Sequence, residues 1–410
     1  MVASAALPRA KQTLDLPASR GAGMGIGVDS LDFLEKLVGF PTVSLQSNRA
    51  MIGFISDVLD KAGARVSQFE GPHAGNLNLF ATIGPEDRGG VILSGHTDVV
   101  PTQGQTWTVE PFRLSRQGDR LYGRGTADMK GFLACALRAA VLAGERRLAI
   151  PLHLAFSCDE EIGCVGVRPM LEALALQTPR PIACIVGEPT SMQLATGHKG
   201  KIAVQVICKG RAGHSAFAPS LLNPIAMASA LIAAIERLQE RAARLGARDE
   251  AYEVPYATLH VGRILGGEAL NVVPSQCVLE LEIRSAARDD AERLLRAVRA
   301  AAARIVRSRR ARIPEAQIEI EVINAYPALD APADDAAAAL VRRLTGDNGA
   351  IKAPFGAEGG LFREQLGVPT VICGPGSMEQ GHRADEYVTV PQLELCDRMM
   401  DALLDHLSGH

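Results

Sequence analysis

Short runs that are apolar almost without a break recur along the chain at residues 78–83, 90–94, 152–157, 182–186 and 370–373. Runs of that length, bounded by Gly, Pro or Asp, predict strands buried on both faces, as in a sheet covered by helices. Between them the apolar positions fall three or four residues apart. This spacing predicts helices over 51–62 (apolar at Ile52, Ile55, Val58 and Leu59, with Ser47-Asn48 as N-cap), 129–143, 165–176 and 334–344. Strand and helix in alternation predict an α/β fold with a doubly wound, mostly parallel sheet.

A different rhythm occupies residues 199–324: strand 201–208, helix 224–245, strands 258–264 and 278–284, helix 288–307 and strand 318–323. The order βαββαβ is that of a ferredoxin-like module, with Gly266-Gly267 as a turn or bulge between its middle strands. The first rhythm resumes afterwards, so the small module is expected to be inserted into the larger one. The expected division is a leader over 1–27, a catalytic domain over 28–195 and 326–410, and the insert over 196–325. Residues 1–27 are rich in Ala, Gly, Pro and Arg and lack an apolar core. They are expected to form a disordered leader, with Met24 as an alternative start, rather than a secretory signal.

Composition narrows the function classes. A chain of 410 residues suits two domains. Its 46 acids against 43 bases lack the basic excess of a nucleic-acid binder. No apolar run reaches the ~18 residues of a membrane span. Eight cysteines include no C-x-x-C pair, and most sit in apolar surroundings, so reduced thiols and a cytoplasmic location are expected. There is no phosphate-binding G-x-x-x-x-G-K-[ST] loop and no G-x-S-x-G nucleophile elbow.

Ligands of an open α/β sheet bind beyond the carboxyl ends of its strands. His96 and Asp98 follow the strand near 91–94, Asp159, Glu160 and Glu161 follow 152–157, Glu188 follows 182–186, and a Gly-Pro-Gly-Ser loop leads from 370–373 to His382. Asp128 stands just ahead of a helix. Each alone has a structural explanation: a satisfied histidine, a helix cap, a solvated acid. Asp159 is expected to remain a solvated charge. Together at one rim, two imidazoles and several carboxylates without cysteine suit zinc, cobalt or manganese in a hydrolytic site, with two ions sharing a bridging acid. The i, i+2 spacing of His96 and Asp98 predicts that the Asp98 carboxylate orients the imidazole.

Residues 94–101 (Ser-Gly-His-Thr-Asp-Val-Val-Pro), 123–131 (Gly-Arg-Gly-Thr-Ala-Asp-Met-Lys-Gly) and 159–163 (Asp-Glu-Glu-Ile-Gly) resemble the signature blocks of the M20 family of dinuclear zinc amidohydrolases. Residues 187–190, 197–200, 266–267, 270–274 and 373–377 resemble that family's acetylornithine deacetylase branch. The likeness runs from about Ser30 to the C-terminus. It implies two Zn2+ ions, with Co2+ able to substitute: His96 and Glu188 on one, Glu161 and His382 on the other, Asp128 between them and followed by a cis peptide. It further implies Asp98 as the partner of His96 and Glu160 as general base. The insert is then a lid and dimerisation domain whose His214 reaches the partner subunit's site to stabilise the oxyanion. Arg284 is expected to hold the substrate α-carboxylate with Asn271 beside it, and Glu358 is a candidate for a side-chain ammonium. The substrate implied is a small N-acyl amino acid, with neither nucleic acid nor membrane as partner. Within the family, succinyl-diaminopimelate desuccinylase, acetylcitrulline or other acyl-amino-acid deacylases, and carboxypeptidases remain alternatives.

Overall fold

The computed structural model describes residues 29–176 and 179–409; the expected leader lies outside them. The large sheet has four parallel strands at its centre, in the order Leu152–Ser157, Val91–His96, Ala183–Val186 and Thr370–Ile372. The strands flanking this core run antiparallel to it, and Ile351–Ala353 pairs in parallel with the outer strand Ala195–His198. Leu77–Ile83 and then Arg65–Glu70 extend one side, and Ala195–His198 followed by Leu329–Asp330 extend the other. The parallel core is as expected, and the apolar run at 78–83 also forms a strand, although an antiparallel one. Edge strand Arg65–Glu70 is largely exposed and carries no such run.

Two-residue alternation along the central strands explains why both faces are covered. Val91, Leu93, Leu152, Leu154 and Ile185 face one apolar cluster, closed by helices Ser30–Val38, Arg49–Lys61, Gly131–Gly144, Ala336–Thr345 and Val390–Ser408. Ile92, Ala155, Cys184, Val186 and Ile372 face the other, closed by helices Arg168–Ala175 and Gly359–Leu366. All eight cysteines are free and buried; Cys135, Cys164, Cys184, Cys373 and Cys396 lie in these two clusters as small apolar side chains.

The insert forms a second sheet, entirely antiparallel, in the order Thr258–Gly266, Gln276–Ser285, Gly200–Lys209, Gln317–Tyr326. Helices Pro224–Leu245 and Ala291–Arg310 cover one face around a separate apolar core. Among the described residues, no helix is long and apolar enough to cross a membrane.

Asn48 precedes its helix as expected, but its side chain makes no cap. It instead donates to the Leu77 carbonyl and Thr97 Oγ1 and accepts from the Leu77 N–H, tying the helix start to the sheet.

Candidate active site

The strand Val91–His96 ends at His96, which is 1% exposed. Its Nδ1 lies 2.9 Å from the Asp98 carbonyl oxygen, which can only accept, so Nδ1 carries the proton. Nε2 then faces Asp128 Oδ1 at 3.0 Å and Glu188 Oε1 at 3.9 Å. The Asp98 carboxylate, expected from the i, i+2 spacing to orient the ring, stands 3.8 Å from it, farther than the Asp98 carbonyl. The chain has left the strand by Asp98, and its carboxylate turns to Ser44 Oγ (2.7 Å) and to the N–H groups of Glu160 (3.0 Å) and Glu161 (3.3 Å). Asp98 thus fastens the turn bearing the paired glutamates to the histidine loop.

Asp128 sits in the buried turn before helix Gly131–Gly144, followed by a cis peptide to Met129. Gly125 enters that turn at φ +85°, and a Cβ there would meet Val99 Cγ1 at 2.7 Å, so glycine is required. The Asp128 carboxylate is divided between two imidazoles: Oδ1 faces His96, and Oδ2 faces His382 Nε2 at 3.1 Å. His382 also meets Glu161 Oε2 at 2.9 Å. Glu188 follows Gly187, whose Cα packs so closely on Phe132 that a Cβ would fall 1.9 Å from the ring. Glu160 is buried, with Cys164 Sγ 3.1 Å from its Oε1.

Asp159, expected to be solvated, is wholly buried. It accepts from the Leu45 N–H (2.9 Å) and Asn76 Nδ2 (2.8 Å) and pairs with His73 (2.9 Å), joining three loops beside Glu160. Glu386 is a site residue that no sequence signal singles out. Its carboxylate accepts from the N–H groups of Gly125 (3.0 Å), Ala127 (2.9 Å) and Asp128 (3.0 Å) and from Arg124 Nη1 (2.6 Å), with both side chains 1% exposed.

The electrostatics are those of a cation site. Burial pushes the Glu160 carboxyl up to about 8, against the pull of His96 and with the help of neighbouring acids. Burial and the Asp128 charge raise Glu161 to about 7. Burial likewise drives Glu188 well above the usual range. Burial opposes ionisation of Asp128, but hydrogen bonds from His382 and His96 outweigh it and hold that carboxyl low. Hydrogen bonds to Asp128 and Glu161 raise His382 to about 10. Glu161 Oε1 is buried without a hydrogen-bond partner. Ligand atoms of His96, Glu160 and Glu188, and of His96, Asp128 and Glu161, lie within 4.8 Å of one another. Four buried carboxylates, one orphaned oxygen and imidazole nitrogens aimed at acids are a donor set that divalent cations would satisfy.

A cavity of ≈ 270 Å³ opens over these groups. Asp128, Glu160, Glu161, Glu188 and His382 line it, together with Lys201, Arg284 and Tyr326 of the antiparallel sheet. The insert therefore contributes a wall of the site. Arg284 is present, with Nε and Nη2 engaged by Glu282 at 2.9 and 3.2 Å. Glu358 does not line the cavity; it is buried behind it ahead of helix Gly359–Leu366, its Oε1 unpartnered, and burial raises it to about 7. Ser157 is close enough to favour the charged form, yet its Oγ lacks hydrogen-bond geometry to that carboxylate. Within one chain, His214 and Asn271 are not brought to the cavity. His214 is exposed on the Gly213–His214 strand, its Nδ1 accepting the Ala216 N–H at 3.1 Å, and Asn271 is exposed beside it.

The family model described as peptidase family M20/M25/M40 matches residues 92–406. The chain belongs to this family. It is accordingly a hydrolase acting on an amide bond. Proteins named acetylornithine deacetylase from Proteus mirabilis and Salmonella arizonae are 31% and 32% identical to it, over 92% and 93% of this chain and 96% and 98% of theirs. An M20 family metallo-carboxypeptidase from Sulfolobus solfataricus superposes with a TM-score of 0.77 at 18% identity, covering 93% of this chain and all of that one. A dinuclear metal-binding M20 peptidase from Bacillus subtilis does so with a TM-score of 0.62 at 19% identity, covering 92% of this M20 chain and 97% of its own. The M20 fold, with its inserted lid domain, is thus shared with peptidases.

Proposed function

We propose that this M20 hydrolase deacetylates N2-acetyl-L-ornithine to L-ornithine and acetate, using two divalent metal ions, zinc or cobalt. The observation that carries the metal chemistry is the Asp128 carboxylate, one oxygen turned to His96 and the other to His382. His96 and Glu188 would hold one ion and Glu161 and His382 the other, with Asp128 shared. Bound there, the ions would polarise the amide carbonyl and lower the pKa of water. Asp98 and Glu386 hold the ligand loops in place through the backbone N–H groups they accept from.

Glu160, not needed in that ligand assignment although its carboxylate lies beside His96 and Glu188, is assigned as general base. It takes a proton from the attacking water and returns it to the departing amine nitrogen. Burial favours the protonated acid needed in the second step, while cations beside it favour the carboxylate needed in the first. His214 would serve the active site of a second subunit, in a homodimer formed through the lid; Phe217 and Leu270 beside it are large apolar side chains left 65% and 102% exposed. The extents 28–195 with 326–410 for the catalytic domain and 196–325 for the lid belong to the same reading.

The substrate assignment draws on the relatives named acetylornithine deacetylase, which match nearly the whole chain. It carries with it a cytoplasmic place in arginine biosynthesis. Acetate release by zinc- or cobalt-loaded protein should be greatest from N2-acetyl-L-ornithine in a panel with N-succinyl-diaminopimelate, N-acetylcitrulline and dipeptides. A preference for a peptide or a succinyl group overturns it.

A further inference from the structure

Three side chains cross the lid sheet in register where it faces the catalytic groups. Lys201 on strand Gly200–Lys209 is paired with Arg284 on one neighbouring strand and with Tyr326 on the other. All three line the cavity that holds Glu160 and His382. Their commitments differ. Burial opposes ionisation of Glu282, but its hydrogen bonds from Arg284 and the nearby positive charges prevail and keep it an anion. One edge of the Arg284 guanidinium is thereby occupied. The Lys201 ammonium lies 5.4 Å from the Tyr326 ring centroid and, among the described residues, has no carboxylate within ion-pair distance. Its neighbours of the same type are engaged. Lys199 donates to the Val254 and Tyr256 carbonyls at 2.7 and 2.8 Å, and Lys352 pairs with Asp330.

Arg284, Glu282 and Lys201 together therefore leave one positive charge without an ion-pair partner on the lid strands that line the cavity. A single carboxylate complements it. We propose that Lys201, rather than Arg284 alone, is the cation that binds the substrate's α-carboxylate, so that it sets the preference for a free N-acyl amino acid over its uncharged derivatives. The assignment rests on the site being that of an N-acyl-amino-acid hydrolase, and it adds a residue that no motif marks. The aromatic face of Tyr326 lies under the Lys201 ammonium, and Arg284, fixed by Glu282, supplies its free edge to the same anion.

The test compares an N-acetyl amino acid with its α-carboxamide, using metal-loaded wild type, Lys201→Met and Lys201→Arg. Wild type should favour the acid by about 10- to 100-fold in kcat/KM, the range for a hydrogen bond to a charged group. Lys201→Met should lose most of that preference through a raised KM for the acid with little change in kcat, and Lys201→Arg should retain it. An undiminished preference in Lys201→Met overturns the assignment while leaving the hydrolase reading intact. Absence of hydrolysis of every N-acyl amino acid by the loaded wild type overturns both.

Discussion

Glu386 and Asp128 are joined by a 3.0 Å hydrogen bond from the Asp128 N–H to the Glu386 carboxylate, although they lie 258 residues apart. The same carboxylate binds two further N–H groups of the turn and the Arg124 guanidinium, and it follows His382 by four residues. One buried acid thus ties together the loops of two candidate ligands. Removing one member of a buried ion pair leaves the other uncompensated. Arg124→Ala is expected to lower unfolding free energy by about 3–5 kcal/mol in denaturant titration. Stability within ~1 kcal/mol of wild type would show that the pair does not hold the turn.

Glu160→Ala should reduce kcat by something like 10²–10⁴-fold, the range for loss of a general base. Metal content and KM should change little, since none of the proposed ligand positions is altered. A variant that loses metal in proportion to activity would place Glu160 among the ligands instead.

His382→Ala should bind one metal equivalent fewer than wild type by elemental analysis after dialysis. Its imidazole is the one that meets both Asp128 and Glu161. Retention of both equivalents removes His382 from the set.

The titration of the site gives a pH signature for metal-depleted protein. Glu160 and Glu161, raised to about 8 and about 7, bind protons in the folded chain that they release when unfolded above their ordinary range. His382, raised to about 10, does the same above the ordinary histidine value. Buried His153 and His198, lowered to about 4, oppose this below about pH 6.5 and no longer do so above it. Where the folded state holds more protons, stability falls as pH rises. The Tm of depleted protein should therefore drop between about pH 6.5 and 8, and added zinc should raise it more at the upper end, because its ligands must be deprotonated. A zinc-induced shift that shrinks with rising pH would contradict this.

The parts of the site nearest to strand ends were legible in the sequence. His96, Glu160, Glu161 and Glu188 each follow an apolar run, and the blocks around them resemble one family. What stayed hidden depends on contacts between distant segments. Asp159 reads as one acid in a charged cluster, yet the loop at Leu45 and the turn holding His73 and Asn76 close over it. Glu386 resembles any loop acid until the Asp128 turn is folded against it. Lys201 reads as the polar member of a two-residue alternation, and only the meeting of lid and catalytic domain turns that face toward a cavity. The Asp98 carboxylate stands 3.8 Å from the imidazole rather than in direct hydrogen-bond contact, because the strand ends two residues earlier, at His96. Helix Val390–Ser408 does carry a regular apolar spacing, at Leu393, Cys396, Met399, Met400, Leu403, Leu404 and Leu407. By contrast, strand Ile351–Ala353 is too short for periodicity to reveal.

Two-metal hydrolysis is tested most directly by anomalous diffraction at the zinc edge from crystals of the reconstituted protein. Two peaks per chain are expected, flanking the Asp128 carboxylate, one beside His96 and Glu188 and the other beside Glu161 and His382. A single peak, or none among these side chains at full zinc loading, would contradict it.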